Sequence, residues 1–341
     1  IIINYVHITY PMSRKNRIRL FRFLLIISII LVLPILFIIL ITLPYIFNKV
    51  NVTFPNINIS SDVEEYLNIR ENKFPELHKD AKKRIIWRNK DKKNKSEYAL
   101  VFLHGGFATG RQQEETLIKI ADKLNANLFI SRLAGHGSGY LSTKKLKAED
   151  YLYDIAESVK IGKMIGEKVI LMGFSAGGTF SLMAAKDEQL SKNIDYLILV
   201  APYTPKLSPI YFVAATGLFF KKTYKFDFPS LFNLSTNEWS PFWVNKFDRN
   251  FPKEFWKAMY SGNDLKFKET NLPLLIFYEE KDKVVKADGV KKIFNSWTGP
   301  KKIHNLNTNQ GGFNYHDIIG ILDKKQDNTY INEIHNWISV N

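Results

Sequence analysis

The feature that most constrains this chain is a run of 25 residues without a charge, FLLIISIILVLPILFIILITLPYIF, at positions 23–47. At about 1.5 Å per residue, a helix of that length spans roughly 37 Å, more than the ~30 Å hydrocarbon core of a bilayer. A soluble helix so long, with no polar face, would have no water-facing side. Pro34 falls mid-run, where a bilayer helix tolerates it with a kink. Arg14, Lys15, Arg17, Arg19 and Arg22 precede the run with no acidic residue among them, and Lys49 is the only charge between the run and Asp62. Positive charge stays on the cytoplasmic side, which predicts a cytoplasmic N-terminus (1–22), a single transmembrane anchor (23–47) and an extracytoplasmic remainder. The run exceeds the ~7–15 residues of a signal-peptide core and offers no small-x-small cleavage site, so an uncleaved anchor is expected. Met12 followed by Ser-Arg-Lys reads as a natural start, and residues 1–11 are given no function.

Residues 48–83 read as a tether and lead-in, with 49–70 extended. Residues 71–95 hold ten Lys/Arg and four Asp/Glu. They read as a solvated surface, with contact to anionic headgroups beside the anchor as the sharper alternative. The whole chain is basic, 48 Lys+Arg against 33 Asp+Glu, but this stretch lacks the interleaved aromatics of a nucleic-acid groove, so no nucleic-acid partner is expected. The absence of cysteine excludes a disulfide scaffold, a Cys₄ zinc site and a cysteine nucleophile. From residue 84 to the end, short apolar runs alternate with amphipathic helical stretches. Strands are expected at 84–87, 98–103, 127–131, 168–173, 196–201, 274–278 and 302–306. Helices are expected at 111–124, 148–166, 176–189, 287–297 and 330–338. Continuous Val/Ile/Leu strands alternating with helices predict an α/β fold, a mainly parallel sheet covered on both faces. The alternation breaks between Pro202 and Leu272, where no strand is evident. Residues 203–260 hold 17 of the 47 Phe, Trp and Tyr in the chain. An aromatic insertion of this length, about 203–271, predicts a lid over a lipophilic pocket.

Two motifs carry chemistry. Gly173-Phe174-Ser175-Ala176-Gly177 follows the strand Lys-Val-Ile-Leu-Met and precedes a helical segment. That strand–turn–helix setting makes the pentapeptide a nucleophile elbow, with glycines two residues either side of Ser175 keeping bulk out of a tight turn. Ser175 is then held at a helix N-terminus, where developing negative charge is favoured. His104-Gly105-Gly106-Phe107 ends the strand Ala-Leu-Val-Phe-Leu. A backbone N–H after that turn, from Gly106 or alternatively Phe107, can join that of Ala176 in an oxyanion hole. His104 and His136 are read as structural, packing under their turns.

These residues, with Arg132-Leu-Ala-Gly-His-Gly137, resemble the α/β-hydrolase superfamily, in the branch of monoacylglycerol-lipase-like and lysophospholipase-like carboxylesterases that includes serine aminopeptidase-like hydrolases. The resemblance covers about 84–338. It implies the order Ser, acid, His. The family's acid stands just ahead of a Val-Val or similar pair, which selects Asp282 and leaves Glu279 and Glu280 to a solvated turn. The family's histidine lies in a loop after the last strand and before an apolar pair and Gly, which selects His316 over His304 (in a strand) and His335 (on the last helix). Tyr315 interrupts the Asn-His pair sometimes seen there. The resemblance implies acyl transfer: His316 deprotonates Ser175, Asp282 orients His316, and water releases the acyl group. No metal and no cofactor are implied. No H-E-x-x-H occurs, and no G-x-G-x-x-G opens a helix after the first strand.

The expected activity is therefore that of a membrane-anchored serine hydrolase acting on acyl or lipid esters. Two alternatives stay open. A peptidase or amidase on the same scaffold would need a carboxylate for a free substrate amine, and Asp227, Glu238, Asp248 and Glu254 offer one. A binding protein that kept the fold without catalysis is the other.

Overall fold

The computed structural model describes residues 13–47, 49–204, 222–231, 234–262, 267, 269–308, 315–321 and 324–341. Met12 and the stretches 205–221, 232–233, 263–266 and 268 of the expected lid lie outside the described residues.

Seven strands form one sheet in the order β1-β3-β2-β4-β5-β8-β9: β1 (Arg84–Ile86), β2 (Ser96–Leu103), β3 (Asn127–Ile130), β4 (Gly166–Phe174), β5 (Tyr196–Val200), β8 (Leu274–Tyr278) and β9 (Lys301–Asn305). Every pair is parallel except the edge pair β1–β3. These are the seven strands expected from the sequence, with ends shifted by one or two residues. Alternation along them sorts the core in two. Ala99, Val101, Leu103, Val169, Leu171, Leu197, Leu199 and Ile276 face one side, packed with helices α5 (Ala148–Ile165), α6 (Ala176–Lys186), α9 (Asn250–Ser261) and α10 (Ala287–Ser296). Leu100, Phe102, Ile170, Met172, Ile198, Val200 and Phe277 face the other, packed with α3 (Glu114–Lys123) and α11 (Asp327–Val340). Strands buried on both faces explain why no polar alternation marks them in the sequence. The parallel order brings the C-terminal ends of β2, β4, β8 and β9 to one rim, where ligands bind in open α/β sheets.

Three expectations need correction. The segment 202–272 does contain strands: β6 (Thr223–Lys225) and β7 (Lys246–Asp248) pair antiparallel, with short helices α7 (Phe228–Leu231) and α8 (Thr236–Trp239) between them. Three-residue strands joined through a long connection leave too short a pattern to read. Residues 49–70 are not a free extended tether. Val50 and Ile57 are buried, Val50 N–H donates to Ser261 Oγ at 2.8 Å, and Val63–Glu71 forms helix α2, capped by Asp62 accepting from Glu65 N. Its buried Val63 and Leu67 lie four residues apart, on one helix face. Nor is 71–95 wholly solvated. Glu71 and Lys83 are buried in an ionic cluster: Glu71 takes Arg132 Nη2 at 2.7 Å and Nε at 2.8 Å, while Lys83 binds Asp154 at 2.5 Å and also Glu157. A basic stretch reads as surface by composition, because the acids that neutralise it come from far along the chain.

Upstream, helix α1 (Arg14–Phe47) extends further toward the N-terminus than the apolar run, and its stretch Arg14–Phe37 is long and apolar enough to cross a membrane, with none of it buried. Among the described residues, helix α4 (Gly139–Lys144) lies between β3 and α5.

Removing one partner of the cluster strands the other. Glu71→Ala leaves the Arg132 guanidinium buried without its carboxylate, which costs about 3–5 kcal/mol. Thermal unfolding of the full chain followed by circular dichroism is expected to show a fall of roughly 10 °C. An unchanged midpoint would contradict the pairing.

Candidate active site

Ser175 is the residue between β4 and α6. Its backbone sits at φ +52°, ψ −116°, a left-handed conformation that a non-glycine residue adopts only when its surroundings hold it there. The holding contacts are backbone bonds. Ser175 N–H donates to Val200 O at 2.9 Å, and Ser175 O accepts from Gly178 N at 3.0 Å and Tyr203 N at 3.0 Å. The flanking glycines are required by contact, not only by turn geometry. A Cβ on Gly173 would fall 2.4 Å from Gly177 O, and one on Gly177 would fall 2.0 Å from Leu103 O. The first turn of α6 thus lies directly against the end of β2.

The loop after β2 crosses the same point. A Cβ built on Gly105 would lie 3.4 Å from Ser175 Cβ, and one on Gly106 would lie 3.9 Å from Ala176 Cβ. Gly106 and Ala176, the expected oxyanion donors, are therefore neighbours. Phe107 is spoken for: at φ +62°, its N–H donates to His136 Nε2 at 3.1 Å. That leaves Gly106 as the candidate of the two. His136 Nδ1 lies 3.0 Å from Ala134 O, and His104 Nε2 accepts from Leu133 N at 2.9 Å while its Nδ1 donates to Gly105 O at 2.8 Å. Both rings are fully buried. Burial holds His104 down at about 4 and His136 well below the ordinary histidine range, so both stay neutral and accept at Nε2. They brace the two loops against each other, with ring centroids 5.0 Å apart.

His316 Nε2 lies 2.9 Å from Ser175 Oγ, and His316 Nδ1 lies 2.8 Å from Asp282 Oδ2. The structure thus brings together the three residues chosen from the sequence. Asp282 uses its other oxygen too: Oδ1 accepts from Val284 N and Val285 N, both at 2.8 Å. This fixes the carboxylate through the backbone of the two residues that follow the turn. Burial pushes the His316 pKa down. The hydrogen bond and charge of Asp282 outweigh that, with Asp317 adding to them, so the imidazole sits above its ordinary range. Asp317, itself buried, is pushed up to about 6.

His304 lies in β9 and His335 in α11, away from this cluster, as expected. Glu280 pairs at the surface with Lys291 at 2.9 Å. Glu279, expected in the same solvated turn, is buried, 1 % exposed. The sequence reading also missed Phe174, whose ring stacks on the His316 imidazole with centroids 5.3 Å apart and planes at 28°. The middle residue of Gly-x-Ser carries no sequence mark of that role.

The described part of the insertion puts aromatics over the 104–107 turn. Phe107 meets Phe251 at 5.4 Å, Phe247 at 5.7 Å and Phe255 at 6.2 Å, and Phe255 packs directly on Gly106. Three of the carboxylates considered for a substrate amine serve helix starts instead. Glu254 accepts from Ala148 N at 3.2 Å, Asp248 from Asn250 N at 3.0 Å and Asp227 from Ser230 N at 3.3 Å.

No known family model matches the sequence, and no curated protein sequence matches it. Solved structures do. A metagenome-derived lipolytic enzyme of the LipS and LipT pair superposes with a TM-score of 0.60 at 16% identity, over 78% of this chain and 100% of its own. The monoacylglycerol lipase of Paleococcus ferrophilus gives 0.53 at 18% identity, over 75% and 97%. A soluble variant of the monoglyceride lipase of Saccharomyces cerevisiae, solved with a substrate analogue, gives 0.53 at 15% identity, over 76% and 90%. The chain therefore has the α/β-hydrolase fold.

Proposed function

We propose that the protein is a membrane-anchored serine hydrolase that cleaves carboxylic esters of acyl or lipid type through an acyl-enzyme. The observation that carries this reading is the continuous contact Ser175 Oγ–His316–Asp282, 2.9 Å and 2.8 Å, on a serine at φ +52°. His316 Nε2 takes the Ser175 proton as Oγ bonds to the ester carbonyl carbon. The carbonyl oxygen, now negative, is held by the N–H groups of Gly106 and Ala176. His316 returns its proton to the leaving alkoxide, which departs as the alcohol. A water then loses its proton to His316, attacks the acyl carbon, and the acid leaves as Ser175 regains its hydrogen. Asp282 stabilises each transient imidazolium. The raised pKa of His316 sets the acid side of activity: the base works while neutral, and activity falls as pH drops through that pKa.

The aromatic insertion supports an apolar acyl group, as do the names of fold neighbours that act on lipids. The carboxylates of Asp248 and Glu254, buried and bonded at helix starts, weigh against an aminopeptidase reading, which leaves it the exposed Asp227 and Glu238. Helix α1 supplies the anchor and the residues from Val50 onward the hydrolase unit, with the insertion at about 203–271 as lid.

A fluorophosphonate probe is expected to label the folded chain at Ser175, and Ser175→Ala to abolish labelling and lower turnover of a long-chain nitrophenyl ester by about 10⁶-fold. Equal turnover by that variant would defeat the proposal, and faster cleavage of aminoacyl anilides than of esters would move it to the amidase reading.

Orientation has its own test, because the chain holds no cysteine. Lys192→Cys introduces one thiol at an exposed position. In intact cells a membrane-impermeant maleimide is expected to label it. Labelling only after lysis would put the hydrolase unit inside.

A further inference from the structure

We infer that Glu279 is a positioning residue, whose carboxylate ties the turn carrying Asp282 to the loop leading to His316. The inference rests on the serine-hydrolase reading above. The β8–β9 ladder runs to Tyr278–Asn305, and Leu306 N–H still donates to Tyr278 O at 2.9 Å. Past that point the two chains leave the sheet, one toward Asp282 and one toward His316. Glu279 joins them where backbone pairing ends: Oε2 accepts from Thr308 N at 2.5 Å and Oε1 from Lys281 N at 3.0 Å. The turn closes beneath it, with Asp282 N–H donating to Glu279 O at 3.2 Å. Lys281 adds a second tie from the same turn, its Nζ donating to Thr308 O at 3.4 Å and lying 5.7 Å from the Tyr315 ring centroid.

A carboxylate suits this place because both of its neighbours are donors. Burying a charge is costly, and two backbone N–H groups aimed at it offset that cost. A glutamine of the same size accepts with one end only. Its amide N–H would face the other backbone N–H, and one half of the clamp would open. Asp282, which holds the imidazole, lies three residues past Glu279 in the turn that the clamp closes, and displacements near 1 Å at an imidazole–carboxylate contact cost on the order of 100-fold in rate.

Among the described residues, the groups that face His316 are Asp282, Asp317, Ser175 and the Phe174 ring. Burial pushes Asp317 up to about 6, so the test uses Asp317→Asn as its reference. The full chain in detergent is compared with and without Glu279→Gln, over a pH series, on a nitrophenyl ester. If Glu279 positions the pair, kcat falls roughly 10–100-fold, KM changes less than about twofold, and the acid limb of kcat/KM moves down. The direction follows from the charge: an imidazolium less well held by Asp282 loses its proton at lower pH, by roughly half a unit or more. A residue that only stabilises the fold would lower the melting temperature and leave the limb in place, and that result would overturn the inference. Lys281→Met, at an exposed side chain, tests the second tie without risk to folding and is expected to lower kcat several-fold at unchanged KM; unchanged kcat in both variants would also overturn it. Hydrolysis by Ser175→Ala would instead overturn the underlying reading, whatever the clamp variants do.

Discussion

The contact on which the site depends is the close approach of the first turn of α6 to the end of β2. Gly177 lies so near Leu103 O that any side chain there would strike the backbone. This contact does two things at once. It seats the head of α6 where backbone bonds to Val200, Gly178 and Tyr203 hold Ser175 in a left-handed conformation, costing about 1–3 kcal/mol that the rest of the fold must cover. It also sets the loop 104–107 beside Ser175 and Ala176, so that the serine hydroxyl and the candidate oxyanion donors share one corner of the rim. A parallel sheet buried on both faces is rigid enough to keep that corner fixed.

Two further systems converge on the corner from opposite edges. From the β9 side come Asp282 and His316, each on a loop, with Phe174 stacked against the imidazole. From the β3 side comes the loop 132–137. Arg132 Nη1 donates to His136 O at 3.1 Å, and His136 in turn accepts from Phe107 N, so the 104–107 turn is linked through two hydrogen bonds to the buried Glu71–Arg132 pair. Ala134 N donates to Asp154 Oδ2 at 2.6 Å, bringing the Lys83–Asp154–Glu157 cluster to the same loop. Helix α2, only sixteen residues beyond the end of α1, therefore reaches the site through its last residue. The segment after helix α1 is part of the α/β-hydrolase-fold unit rather than a cord to it.

The legible parts of this molecule were those with local signals. All seven strands of the main sheet showed as short apolar runs, because burial on both faces leaves little else. The bend at Ser175 showed because the steric demands at Gly173 and Gly177 write glycine into the sequence at fixed offsets. Asp282 and His316 were chosen by resemblance, and the geometry supplies a reason for the first: the two N–H groups of Val284 and Val285 close on its carboxylate. What stayed hidden depends on distant partners. Glu71 and Lys83 looked solvated because Arg132, Asp154 and Glu157 lie some 60 to 75 residues away. Glu279 looked like one more charge in a polar turn because Thr308 is not its sequence neighbour. The strands β6 and β7 are three residues each, too short for any period to register.

The most direct measurement is the mass of the Ser175 peptide after a rapid acid quench, milliseconds into reaction of the unaltered chain with a medium-chain nitrophenyl ester, whose good leaving group speeds acylation relative to release of the acyl group. The account predicts one acyl mass on the peptide that contains Ser175. An ester consumed with no acyl group on that peptide, or with the group on another residue, would contradict it.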